Sequence, residues 1–256
     1  MEGLQHHISL KRGDVGRYVM LPGDPGRCEL IASFLNNARH VAYNREFNTY
    51  TGDIGGTPVS VTSTGIGGPS AVIAMEELYK IGADTFIRVG TCGGMQDEVL
   101  PGDLVVATAS VRAEGTSLEY MPVAFPAAAD FFVTSALVSA AKGLGLTSHV
   151  GIIQCKDAFY GQHEPERLPA AKMLIYQWEA WKAGGCLASE MESSALFVAA
   201  SALRARAGTV LLVAGNEEAP ESAYEDRPEP DIKDAARAAV EGIRLLIQND
   251  MKGGIL

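Results

Sequence analysis

Three times in this chain an apolar, strand-like run gives way to glycine, proline and hydroxyl residues: Pro22-Gly-Asp-Pro-Gly-Arg27, Thr62-Ser-Thr-Gly-Ile-Gly-Gly-Pro-Ser70 and Arg88-Val-Gly-Thr-Cys-Gly-Gly94. Glycine lets the backbone approach a ligand closely and turns its N–H groups toward an anion. With the guanidinium groups of Arg27 and Arg88 and the Thr91 hydroxyl beside them, these turns describe a cradle for a small oxyanion, most simply phosphate. The fold must therefore gather the ends of several strands at one place.

The remaining pattern suits such a fold. Residues 18–21, 41–50, 58–63, 85–89, 104–111, 147–154 and 209–214 read as strands from their β-branched content and alternation. Residues 26–35, 70–81, 127–144 and 190–206 read as helices, with Pro69 in a first turn and Gly82 as a C-terminal cap. A last amphipathic helix carries the stripe Ile232, Ala236, Ala239, Ile243 and Leu246. Alternation of this kind implies an α/β fold, a single domain over residues 1–256 with a mixed central sheet flanked by helices. Ligands in such sheets sit beyond the carboxyl ends of the strands. The segment 217–231, rich in Glu, Asp and Pro, is expected to be a mobile surface loop serving as a lid.

A net charge of −10 makes the chain a poor general binder of nucleic acid or anionic membrane, so an anionic substrate must meet cations gathered locally. Arg27, Arg45 and Arg88 are the candidates. Cys28, Cys92, Cys155 and Cys186 show neither zinc-type spacing nor pairing with histidine and read as reduced, buried thiols. Cys92 lies in the cradle, but no base stands beside it in sequence. The first residues lack the basic start and apolar run of a secretion signal, and no stretch is long and apolar enough to span a bilayer. A cytoplasmic protein is expected.

Each motif has a plain structural reading beside the functional one. Gly23–Arg27 also suits an ordinary turn, and Arg45-Glu46 a solvated ion pair on an edge strand. Arg88 ends a buried strand, so an internal carboxylate or a bound phosphate must meet it. Glu190-Met191-Glu192 opens a helix, where acidic residues favour the dipole; a carboxylate there can equally accept hydrogen bonds from two sugar hydroxyls while the thioether packs on the ribose. Phe159, Tyr160 and Gln162, followed by Arg167, either anchor a polar loop or stack on a planar ring and read a pyrimidine edge.

Taken together, Gly23-Asp-Pro-x-Arg27, Arg45-Glu46-Phe47, the 63–70 stretch, Arg88-Val-Gly-Thr91, Phe159-Tyr160…Gln162 and Glu190-Met-Glu-Ser193 run in one order along nearly the whole chain. In this set the sequence resembles the hexameric nucleoside phosphorylases, and within them the uridine-cleaving branch. The resemblance implies that Gly23, Arg27, Arg88 and Thr91 bind phosphate, with Arg45 reaching the phosphate of a neighbouring subunit. Thr91, Met191 and Glu192 would hold the ribose, and His7 would reach its 5′-hydroxyl in the neighbour. Phe159, Gln162 and Arg167 would face the base, and Arg88, Glu192, Gln162 and Arg167 would carry catalysis. A monovalent cation such as potassium is implied at Glu46, Ile66 and Ser70, at the contact of dimers that assemble into a hexamer. Inorganic phosphate would be the co-substrate and no organic cofactor is implied.

Two positions depart from the pattern. Four residues, His163 to Glu166, separate Gln162 from Arg167, where the family has one, so a bulged loop must deliver the arginine. Glu217 follows Asn216 where an arginine would be expected. Asn216 itself discriminates among relatives, because purine phosphorylases and nucleosidases of this fold place there an aspartate that protonates the purine, and an amide cannot act as that acid. A pyrimidine leaves as an anion stabilised by donors. The implied reaction is thus phosphorolysis of uridine to uracil and ribose 1-phosphate, in pyrimidine salvage. The alternatives are a purine phosphorylase or nucleosidase of the same fold, or a non-catalytic nucleoside-binding protein. A dinucleotide-binding reading of the glycines lacks the acidic residue it needs downstream.

Overall fold

β1 (Tyr18–Pro22) is buried along its whole length and lies between two parallel neighbours, β4 (Thr57–Thr62) and β5 (Thr85–Gly94). Those three strands fix the place where the glycine segments meet, because they run in the same direction, β1 and β4 each ending at a glycine turn and β5 carrying its glycines in its last residues. The computed structural model describes residues 3–253. β2 (Asn36–Asn44) and β3 (Phe47–Ile54) extend the sheet antiparallel beyond β4. On the other side β10 (Arg206–Gly215) pairs parallel with β5 and antiparallel with β6 (Leu104–Ala113). β6 pairs with β8 (Ser148–Lys156), β8 with β9 (Ala188–Glu190), and β9 returns to β5 at Gly93 and Gly94. The sheet thus closes into a five-stranded ring sharing β5 with an open extension. It is the expected mixed sheet, and the ring brings the ends of β5, β8, β9 and β10 together.

Helices cover both faces. α2 (Gly68–Lys80) and α7 (Ser193–Leu203) pack together over one core, which contains Met75, Leu78, Phe86 and Phe197. α1 (Arg27–Ala32), α4 (Phe131–Gly143) and α8 (Ile232–Met251) cover the other, with Ile31, Leu137, Ile243 and Leu246 at its centre. α3 (Thr116–Tyr120), α5 (Phe159–His163) and α6 (Ala171–Ala183) are peripheral. Among the described residues no helix is long and apolar enough to cross a membrane.

Several sequence expectations are corrected. The run 41–50 is not one strand: Arg45 adopts φ +55° and, with Glu46, makes the turn between β2 and β3. The helix expected over 127–144 starts at Phe131, because Asp130 caps it by accepting from the N–H groups of Phe132 and Val133, while Ala127–Ala128 forms a short strand, β7, against β6. The helix over 190–206 is Ser193–Leu203. Glu190 belongs to β9, and left-handed Arg204 (φ +58°) turns the chain into β10. The helix over 26–35 is only Arg27–Ala32. Gly90–Gly94 continues β5 instead of forming a turn. α6 has no counterpart in the sequence reading; Leu174, Trp178 and Trp181 recur on one of its faces at helical spacing, though none of its residues is fully buried.

Candidate active site

Arg88 sits near the middle of β5, almost wholly buried, and its guanidinium is built into a carboxylate frame. Nε donates to Glu190 Oε2 at 3.2 Å, and Nη2 pairs with Glu192 Oε2. Burial opposes the Arg88 charge, but the two carboxylates outweigh it and raise its pKa. Nη1 is different. It is buried and has no hydrogen-bond partner among the described residues. It points toward the turn after β1, where a Cβ on Gly23 would lie 3.7 Å away. A buried guanidinium nitrogen without a protein partner, beside a glycine turn, is suited to meet an anion.

The two glutamates divide their work. Glu190 takes the capping role, accepting from the N–H groups of Glu192 (2.9 Å) and Ser193 (2.8 Å) at the start of α7. That releases the Glu192 side chain, which accepts from the Gly67 N–H at 2.6 Å. Gly67 has φ +94°, a conformation that suits glycine and here aims its N–H across the sheet. Burial holds the Glu192 carboxyl above its ordinary pKa, with Arg88 pulling the other way and Glu190 adding to the rise.

These groups wall a cavity of about 450 Å³, the size of a small-ligand site. Its wall includes Arg88, Thr91, Met191 and Glu192 together with Phe159, Gln162, His163, Glu217 and Ile66. The Ser189 hydroxyl faces two side-chain amides, lying 2.6 Å from Gln162 Oε1 and against Gln154 Oε1, and its single proton can serve one of them. Lys156, the last residue of β8, donates from Nζ to the same hydroxyl at 2.5 Å. Neither Lys156 nor Ser189 is legible as a site residue in the sequence. Cys92 reaches the wall, but burial drives its thiol pKa well up, which suits no nucleophile.

The other expected residues lie outside this wall. Gly23 is next to Arg88, while Arg27 faces Asp24 of its own turn at 3.9 Å. Arg45, on the exposed hairpin turn, has no ion-pair partner among the described residues. His7 is held by Glu77, which accepts from the His7 ring at 2.7 Å and from the N–H groups of His7 and Ile8. Glu46 accepts from Ser70 Oγ at 2.6 Å, and this hydrogen bond holds its carboxyl below the ordinary pKa. Among the described residues no group of three or more His, Cys, Asp or Glu side chains is placed to hold a metal.

Arg167 corrects the expectation made for it. It ends a 3-10 turn (Pro165–Arg167), is well exposed, and pairs at 2.7 Å with Glu164. The four residues between Gln162 and Arg167, three more than the pattern has, do not bulge inward. They complete α5 and the 3-10 turn, and the arginine is carried outward over Tyr160. Asn216 is fully engaged, donating to the Gln96 and Val99 carbonyls and accepting from the N–H groups of Glu218 and Ala219. Of the segment 217–231, Glu218 is tied to Trp178 and Lys182 on α6, and Arg227 to Asp103.

The family model of the phosphorylase superfamily matches residues 17–248. The chain belongs to the phosphorylase superfamily. Among curated superfamily members, a uridine phosphorylase of Treponema pallidum is 53% identical over 96% of this chain and 95% of its own length. A uridine phosphorylase of Thermococcus kodakarensis is 45% identical over 97% and 89%. A guanosine phosphorylase of Halorubrum lacusprofundi is 36% identical over 94% and 99%.

The packing around Arg88 makes a prediction that needs no nucleoside. A methyl group on Gly90 would lie 2.8 Å from Arg88 Nη2, 3.0 Å from its Cζ and 3.2 Å from Leu211 Cδ2. Gly90→Ala is therefore expected to push the guanidinium off its frame and weaken inorganic phosphate by about tenfold or more, the worth of a charge-assisted hydrogen bond. The readout is the rise in melting temperature with phosphate concentration. An unchanged response would mean that Arg88 does not meet the anion.

Proposed function

We propose that this phosphorylase-superfamily chain cleaves uridine with inorganic phosphate, giving uracil and ribose 1-phosphate, in cytoplasmic pyrimidine salvage. The observation that carries the reading is the buried Arg88, framed by Glu190 and Glu192 and left with one open nitrogen at a glycine turn. The names of the Treponema and Thermococcus relatives support uridine as the nucleoside. Asn216 supports a pyrimidine over a purine, since both ends of its amide are spent on backbone groups and neither is an acid.

In this reading phosphate is held beneath the sugar by Arg88, Thr91, Arg27 and the Gly23 turn, with Arg45 contributed by a neighbouring subunit. Met191 packs on the ribose and Glu192 accepts from its 2′ and 3′ hydroxyls, so the sugar is positioned before reaction. His7 reaches the 5′-hydroxyl in the neighbour's site. Phe159 stacks on the base and Gln162 reads its edge. The C1′–N1 bond breaks with its electron pair leaving on uracil, and a phosphate oxygen captures the cationic C1′. Charge that develops on the base meets fixed donors, which is worth more in an enclosed site than in water.

Shared sites require an oligomer, and dimers assembled into a hexamer are the arrangement proposed. Glu46 and Ser70 bring a carboxylate and a hydroxyl together, the hard-oxygen chemistry that suits a monovalent cation such as potassium, with Ile66 beside them. No organic cofactor enters the scheme. The segment 217–231 is proposed to move as the lid on the base side.

The test is an absorbance assay of uridine, thymidine, inosine, guanosine and adenosine, with and without phosphate. Uracil release from uridine that depends on phosphate is expected. Release without phosphate would identify a hydrolase, and preference for a purine nucleoside would overturn the pyrimidine assignment.

A further inference from the structure

Resting on this phosphorolysis reading, we propose that Lys156 is the cationic donor that meets the negative charge developing on the departing pyrimidine. Arg167, the cation expected there, is on the surface and paired with Glu164. Along the cavity wall the other permanent cation is Arg88, which is already held by Glu190 and Glu192. Lys156 is 8% exposed, and its Nζ lies 6.0 Å from the centre of the Phe159 ring, on which the base is proposed to stack. An ammonium has three N–H donors. One is bonded to Ser189 Oγ, and no partner for the other two exists among the described residues.

The Gln162 amide lies with one end against the Ser189 hydroxyl, so its other end is left to face the ligand. The Lys156 ammonium is the charged donor beside the proposed base, which fits carbonyl oxygens gaining charge and not a ring that must accept a proton. Burial lowers the Lys156 pKa, while Glu190 and Glu192 favour its charged form. In the reaction the C1′–N1 electron pair spreads onto the uracil oxygens, where the Lys156 ammonium donates hydrogen bonds and keeps its protons. The proton lost by hydrogenphosphate as its oxygen bonds C1′ ends on N1 by way of solvent, so the overall step balances.

The plain alternative is that Lys156 only pins Ser189, and leaving-group chemistry separates the two. Lys156→Met is expected to lower kcat for uridine by about 10²–10³, the usual worth of one such donor. For 5-nitrouridine, whose base is a far better leaving group, the loss should shrink to less than about tenfold, because little stabilisation is then needed. Lys156→Gln, which preserves a donor to Ser189, is the second variant and should show the same split. Equal losses on both nucleosides would overturn the proposal, as would a leaving-group-dependent loss in Arg167→Ala. Wild-type uridine turnover in phosphate, measured alongside, reports on the parent reading, whereas the ratio of variant to wild type reports on Lys156.

Discussion

Arg88→Ala is expected to lower kcat/KM for phosphorolysis by at least about 10²–10³, the cost of removing one donor that acts in the transition state. The expectation rests on how the side chain is spent. Two of its nitrogens hold Glu190 and Glu192, and the third is open and buried. Its removal takes away the anion contact and also leaves two buried carboxylates facing one another. Loss of one partner from a buried ion pair costs about 3–5 kcal/mol. The glutamates would relieve that cost by binding a proton, which would also spoil the hydrogen-bond acceptor proposed for the ribose. Arg88→Lys separates the two effects. A lysine keeps the charge but lacks the planar fork that reaches two carboxylates and a phosphate at once. It should recover much of the melting temperature and little of the activity. Near-normal turnover of Arg88→Ala at saturating phosphate would end the assignment.

The parts of this fold that were readable are those where local chemistry and tertiary role coincide. A charge at the end of an apolar run, as in Phe86-Ile87-Arg88, has to be met by something buried, and Glu190 and Glu192 meet it. Glycine turns after β1 and β4 announce themselves because few other residues tolerate their backbone. Arg45 was misread because β2 and β3 have similar composition on either side of it, and only its left-handed backbone marks the turn. Arg167 was misplaced because sequence spacing says nothing about whether an insertion bulges inward or closes a helical turn outward. Lys156 is invisible in sequence for a related reason: it lies just past the strand read over 147–154, and its meaning comes from Ser189 on β9, a strand only three residues long. α6 has a stripe of Leu174, Trp178 and Trp181 at helical spacing, but exposed Met173, Ile175 and Tyr176 beside it blur the contrast between its faces.

Mixing two inactive variants, Arg45→Ala and Glu192→Gln, is expected to restore activity, because the cavity of one chain lacks the parts that the hairpin turn offers. Arg45 stands exposed on that turn, away from the cavity wall of its own chain, and the left-handed backbone there presents it outward. His7 also lies elsewhere, clamped by Glu77 in a manner that orders the segment without bringing it to the Arg88 end. If the site is shared, each chain gives Glu192 to its own cavity and Arg45 to its partner's. A two-fold interface is isologous, so a mixed dimer contains one site with both lesions and one with neither. Random exchange makes half the dimers mixed, and about a quarter of all sites should then be intact. Glu192→Gln keeps the shape and the acceptor for the Gly67 N–H, so the variant chain should still assemble. Activity near that fraction of wild type, appearing only after subunit exchange, supports the shared site. Mixed oligomers demonstrated by mass and yet no more active than either parent would show that Arg45 serves its own chain or none.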